Sequence, residues 1–127
     1  MNTFPNIIIF SVYQGNNPLE DTQNTTKVRK ELGLLGIGFK DAEGVFDGNR
    51  EESFIVDGKD EKYVIDLCKQ FNQKAYLFSH NDRFTELVDV KTGDRQPLGH
   101  LESTPTKPPF GFDYTYDPSL GLYWIAQ

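Results

Sequence analysis

The chain has 127 residues with 37% hydrophobic and 25% charged side chains, a composition that fits one globular domain large enough to bury a core without staples. Its single cysteine, Cys68, excludes an internal disulfide framework and any zinc site built on several thiolates. A formal net charge of −6 opposes bulk attraction to nucleic acid or anionic lipid.

Residues 1–18 carry no charge and so lack the basic start of a signal peptide. The longest aliphatic run, Ile7-Ile8-Ile9, falls far short of the ~20 residues that cross a bilayer. The expectation is a soluble, cytoplasmic protein with no membrane contact. Segment 6–13 is dense in β-branched and aromatic residues and reads as a buried strand. Gln14-Gly15-Asn16-Asn17-Pro18 breaks it. A helix over about 22–35 follows, with Val28, Leu32 and Leu35 as its apolar stripe and Gly36 as a left-handed cap. Ile37 to Phe39 and Val45-Phe46 read as brief strands, and Ser53-Phe54-Ile55-Val56 as a firmer one. A second helix over 60–72 carries Val64, Leu67, Cys68 and Phe71 at helical spacing, with Asp60 as its N-cap.

Ala75 to Ser79, Phe84 to Val90 and Gln96 to Leu101 then read as an antiparallel meander. Pro105, Pro108 and Pro109 withhold backbone donors, so 103–111 is an extended crossing. Tyr114-Thr115-Tyr116 and Leu122 to Ile125 flank a turn in hairpin fashion. The order β-α-β-β-α-β-β-β plus an aromatic hairpin predicts an α+β fold: a mostly antiparallel sheet with both helices packed on one face. The expected organisation is a domain over 1–102 and a Pro-rich, aromatic extension over 103–127 on or near it.

Between Asp41 and Glu61 eight acids face only Arg50 and Lys59, so this stretch alone accounts for the charge imbalance. Asp47, Asn49 and Glu51 match the first, third and fifth positions of a calcium loop, but Glu52 stands where glycine is needed and Gly58 where glutamate is needed. A solvated acidic face, a docking surface for a basic partner and, last in rank, a divalent-metal site remain. No acid is placed before a strand lysine as a metal-dependent nuclease needs, and Gly58-Lys59 lacks the glycine frame of a phosphate loop. Cys68 lies in an apolar stripe and reads as a small core hydrophobe. His80 reads as turn polarity, and His100 falls in a strand; neither forms a local signature with Cys68. No metal and no cofactor is expected. Phe110, Phe112, Tyr114, Tyr116, Tyr123 and Trp124 crowd the chain's end without a basic residue among them, which excludes a nucleic-acid stacking platform. These rings read either as core or as an exposed docking hairpin.

Three stretches, Ser11-Val12-Tyr13 with Asn17-Pro18 and Asn24, Glu52-Ser53-Phe54-Ile55-Val56, and Cys68 to Ala75, together resemble a family of small bacterial and phage proteins, a domain of unknown function. The resemblance spans about residues 7–90, departs from the family at Asn72, and leaves the tail uncovered. It implies a host-directed role rather than metabolism. Its recurring polar positions fall on Asn17, Asn24, Glu52, Ser53 and Gln73, either a structural network satisfying orphan backbone groups or a small-ligand pocket.

The leading expectation is a non-enzymatic interaction module, a phage-encoded modulator or inhibitor of a host protein. It would dock on a basic partner through Glu51, Glu52, Tyr114, Tyr116, Tyr123 and Trp124. The alternative is a small hydrolase or nucleotide-binding enzyme that uses the Asn17, Asn24, Glu52, Ser53 and Gln73 group.

Overall fold

The computed structural model describes residues 5–127. Eight strands run in the order β1 Ile7–Phe10, β2 Phe39–Phe46, β3 Asn49–Asp57, β4 Ala75–Ser79, β5 Phe84–Asp89, β6 Arg95–Thr104, β7 Tyr114–Asp117 and β8 Leu122–Ala126. Helix α1, Pro18–Leu34, follows β1, and α2, Glu61–Gln70, follows β3. The strands close into an antiparallel barrel with neighbours β1-β3-β2-β7-β8-β6-β5-β4, and β4 pairs back to β1. This corrects the α+β expectation of an open sheet. The strands that complete the ring come from the aromatic tail: β7 pairs with β2, β8 pairs with β6, and they pair with each other.

The barrel has two apolar compartments because strand side chains alternate between faces. Ile7, Ile9, Ala42, Ile55 and Leu101 fill the lumen with Leu77, Trp124 and Ala126. Ile8, Phe10, Phe54, Val56, Tyr76, Phe78 and Val88 point outward and are covered by Val28, Leu32, Val64, Leu67 and Cys68 of the helices. The uninterrupted runs at Ile7 to Phe10 and Phe54 to Val56 thus reflect burial on both faces of β1 and β3. The opposite wall, made by β6, β7 and β8, is more exposed; α2 reaches its edge through the Glu61–Arg95 ion pair at 2.8 Å.

Local corrections follow the same logic. Helix α1 starts at Pro18, a residue suited to the first turn, where its missing N–H is no loss. Asn17 caps it by accepting from the Leu19 and Glu20 N–H groups. Leu35 is 48% exposed rather than part of the stripe, because the chain leaves the helix there and Gly36 takes a φ of 70°. The two brief strands expected over 37–46 are one strand, β2, whose hairpin partner β3 begins at Asn49. Asp60 makes no side-chain capping bond; Asp57 instead accepts from the Lys59 N–H in the short 3-10 turn before α2. At Gly99, φ is 115° and an added Cβ would lie 2.2 Å from the Gln127 carbonyl oxygen. Glycine lets the end of the chain approach this bend in β6. Among the described residues no helix is long and apolar enough to cross a membrane.

Candidate functional site at the open end of the barrel

At one end of the barrel β1, β2, β5 and β8 finish while β3, β4, β6 and β7 begin. A cavity of about 920 Å³ opens there, within the range that takes a small organic ligand. Its depth is apolar, with Ile9, Leu77, Leu87, Leu98, Leu101 and Trp124, while Ser11, Tyr13, Glu51, Ser53, Gln73 and Asp113 supply polar groups. The other end of the lumen is closed by polar pairing. Lys40 Nζ lies 2.9 Å from Oδ2 of the fully buried Asp117, whose Oδ1 accepts from Ser119 Oγ at 2.6 Å. Burial alone would raise the Asp117 pKa, but the Ser119 hydrogen bond and Lys40 hold it below the ordinary carboxylate value.

Glu51 is the acid aimed into this cavity. It shares a face with Ser53 and Ile55 along β3, two residues apart each time, and Ile55 belongs to the lumen cluster. Burial pushes the Glu51 pKa up and the charge of Asp21 adds to this, while a hydrogen bond from Ser11 works against it. Ser53 is buried and donates to the Glu51 carbonyl. Glu52, the next residue, points to the outer face and accepts from the Tyr13 hydroxyl at 3.1 Å. Burial first and Glu52 second raise the Tyr13 pKa.

The rim beside Glu51 is a braced loop. The Gln73 Nε2 group donates to the Tyr13 carbonyl, and Gln14 Nε2 donates to the Phe71 carbonyl at 2.9 Å. Asp21, 4% exposed, accepts from the Gln14 N–H at 2.8 Å and the Gly15 N–H at 3.1 Å. Residues 13–17 are thereby held between α1 and the turn after α2.

The structure brings Glu51, Ser53, Gln73, Tyr114 and Trp124 to one cavity, with Glu52 just outside it. Asn17 is occupied as a helix cap, and Asn24 lies buried within α1. The Tyr116 and Tyr123 rings pack tilted against each other with centres 4.6 Å apart, and Tyr114 meets Tyr123 edge-on at 5.4 Å. Sequence reasoning missed Ser11, Tyr13, Asp21 and Gly44. The first two were within reach, because alternation from Ile9 places Ser11 on the lumen face.

The family model of the S-Adenosylmethionine lyase family matches residues 8–127. The chain belongs to that family. A search of curated proteins found no match. The family match overturns the expectation of a non-enzymatic interaction module, and the inhibitor role is withdrawn with it; the enzyme alternative fits better. Membership extends through the tail that the sequence resemblance left uncovered, in keeping with β7 and β8 as two staves of the barrel wall.

Proposed function

We propose that this chain cleaves S-adenosylmethionine by lyase chemistry in the open end of the barrel. The observation that carries the reading, given the family, is Glu51: a half-buried carboxylate directed into a cavity of ligand size whose depth is apolar. The substrate is a sulfonium with an ammonium and a carboxylate on its amino-acid arm. Its two cationic centres suit a mouth where Glu51 and Asp113 outnumber Lys74, the one basic residue among the described cavity-lining residues.

The chemistry needs little from the protein beyond placement. A lyase adds no water, and sulfonium sulfur leaves as a neutral thioether. The nucleophile within reach is the substrate's own carboxylate. One carboxylate oxygen attacks the γ-carbon as the carbon–sulfur bond breaks, and the bonding pair stays on sulfur. A five-membered homoserine lactone and methylthioadenosine result, with atoms and charge balanced and no proton transferred. Holding the arm in its ring-closing conformation supplies the proximity term. Glu51 anchors the ammonium and so fixes that arm. The absence of arginine from the described lining leaves the carboxylate without a bidentate partner that would blunt it. Because a carboxylate and a sulfonium neutralise each other in the transition state, an apolar surrounding favours it over the charged ground state.

The test is incubation of purified protein with S-adenosylmethionine in water labelled with heavy oxygen. Lactone and methylthioadenosine in equal amounts are expected, and homoserine formed later from the lactone carries label only in its carboxylate. Label in the γ-hydroxyl means that water attacked the substrate and refutes the lyase route. No consumption of substrate by folded protein refutes the function.

A further inference from the structure

The register of four neighbouring strands sets a row of residues across the lumen wall. Glu51 pairs with Gly44, Gly44 with Thr115, and Thr115 with Trp124. Paired residues share a face, and Trp124 belongs to the lumen cluster, so the row faces inward. Adjacent strands lie ~4.8 Å apart, which puts Glu51 and Trp124 roughly 14 Å apart along the curved wall. Between them stand a glycine and a threonine, which leave a channel. Gly44 is part of its shape: an added Cβ would meet Ser53 Oγ at 3.1 Å.

Trp124 has one feature that packing alone does not explain. Its indole Nε1 is buried and has no hydrogen-bond partner among the described residues, the one such side-chain atom there. Buried donors are nearly always satisfied in native folds, and an indole N–H can only donate. The ring lies in the cavity wall with Leu101, Ile125 and Ala126, a surrounding suited to a flat heteroaromatic ring that carries nitrogen acceptors.

We propose that the purine of the substrate binds in the lumen against Trp124, with a ring nitrogen accepting from the indole N–H. The inference rests on the lyase reading for the identity of the ligand and adds where its base sits. Glu51 then takes the cationic arm at one end of the row, Trp124 takes the base at the other, and the ribose lies over Gly44 and Thr115.

Trp124 is the sole tryptophan, so both its fluorescence and its single indole N–H resonance report on this place alone. The probes are methylthioadenosine, which has the purine but no charge, and S-methylmethionine, which has the sulfonium and amino-acid arm but no purine. Methylthioadenosine is expected to change the fluorescence saturably and to move the indole N–H signal; S-methylmethionine is expected to do neither. Trp124→Phe keeps an aromatic ring and removes the donor, so its affinity for methylthioadenosine should fall about tenfold, the worth of one hydrogen bond. Deaza analogues lacking the accepting nitrogen should bind Trp124→Phe and the parent alike. If that variant does not fold, the indole signal of the parent protein decides. Binding of methylthioadenosine with the fluorescence and the indole signal unmoved overturns the placement, as does cleavage of S-adenosylmethionine without any response of Trp124. A clear Trp124 response in a protein that leaves S-adenosylmethionine intact supports the purine site and refutes the lyase reading instead.

Discussion

Replacing Glu51 with glutamine removes the charge that the proposed chemistry needs while keeping the size of the side chain and its ability to accept from Ser11. Hydrogen bonds to charged groups are worth about 1.5–3 kcal/mol. At about 1.4 kcal/mol per tenfold, Glu51→Gln should lower kcat/KM for S-adenosylmethionine roughly 10- to 150-fold. The lower part of that range applies if water at the cavity mouth screens the pair. Stability should move the other way. Burial raises the Glu51 pKa above 4.5, so the folded chain holds that proton more tightly than the unfolded chain does. Ionisation therefore costs stability: the penalty is absent below about 4.5 and fully present above the raised folded value. Thermal melts should show Glu51→Gln at least as stable as the parent at neutral pH, with the gap closing as pH falls toward 4.5. Cleavage by the parent should fade over the same interval as Glu51 takes up its proton. A folded variant that keeps its activity within threefold, or that melts lower than the parent at neutral pH, refutes the assignment.

Asp21→Ala removes the buried carboxylate that accepts from the Gln14 and Gly15 N–H groups, which water can partly satisfy instead, and should cost about 1–3 kcal/mol by chemical denaturation; Asp21→Asn should recover part of it. Leu32→Ala, at a fully buried site, should cost about 2–5 kcal/mol, whereas Leu34→Ala, 79% exposed, should stay within about 0.5 kcal/mol. Burial pushes the Cys68 thiol up to about 12, so a thiol reagent at pH 8 should label the native protein far more slowly than the denatured chain; equal rates would contradict the burial of α2's inner face.

The sequence exposes local structure far better than closure. Both helices and the 75–101 meander can be read from periodicity and turn chemistry, because those signals act over a few residues. The contacts that make a barrel are of another kind: β1 with β4, β2 with β7 and β6 with β8 join segments whose spacing encodes nothing about each other. One trace was legible. The runs Ile7 to Phe10 and Phe54 to Val56 lack polar alternation, which means that both faces of these strands are covered. An open sheet with helices on one face leaves the other face unexplained. The acidic stretch misled for a related reason. As a charge run, Glu51-Glu52 reads as surface, but neighbours on a strand point to opposite faces, and counting back from Ile55 sends Glu51 inward and Glu52 out. Composition left the tail open between core and docking hairpin; the strand register decides it, since Thr115, Asp117 and Trp124 alternate into the lumen and Tyr116 and Tyr123 pack outside.

The split between the two ends of the Glu51–Trp124 row also bears on turnover. Before cleavage, the proposed ligand is held at both ends, by charge at Glu51 and by its base at Trp124. Breaking the carbon–sulfur bond removes the sulfonium and frees the amino-acid arm as a lactone, whose ammonium alone still faces Glu51. The methylthioadenosine that remains is neutral and keeps only the purine contacts. Each product therefore retains half of the substrate's anchoring, and neither retains the tether that made the two halves cooperate. A neutral thioether carrying the same amino-acid arm would lose the attraction of the mouth for the sulfonium but keep the base and the ammonium contacts. It should bind more weakly than the substrate and more strongly than either product, an ordering that a cavity recognising the purine alone would not give.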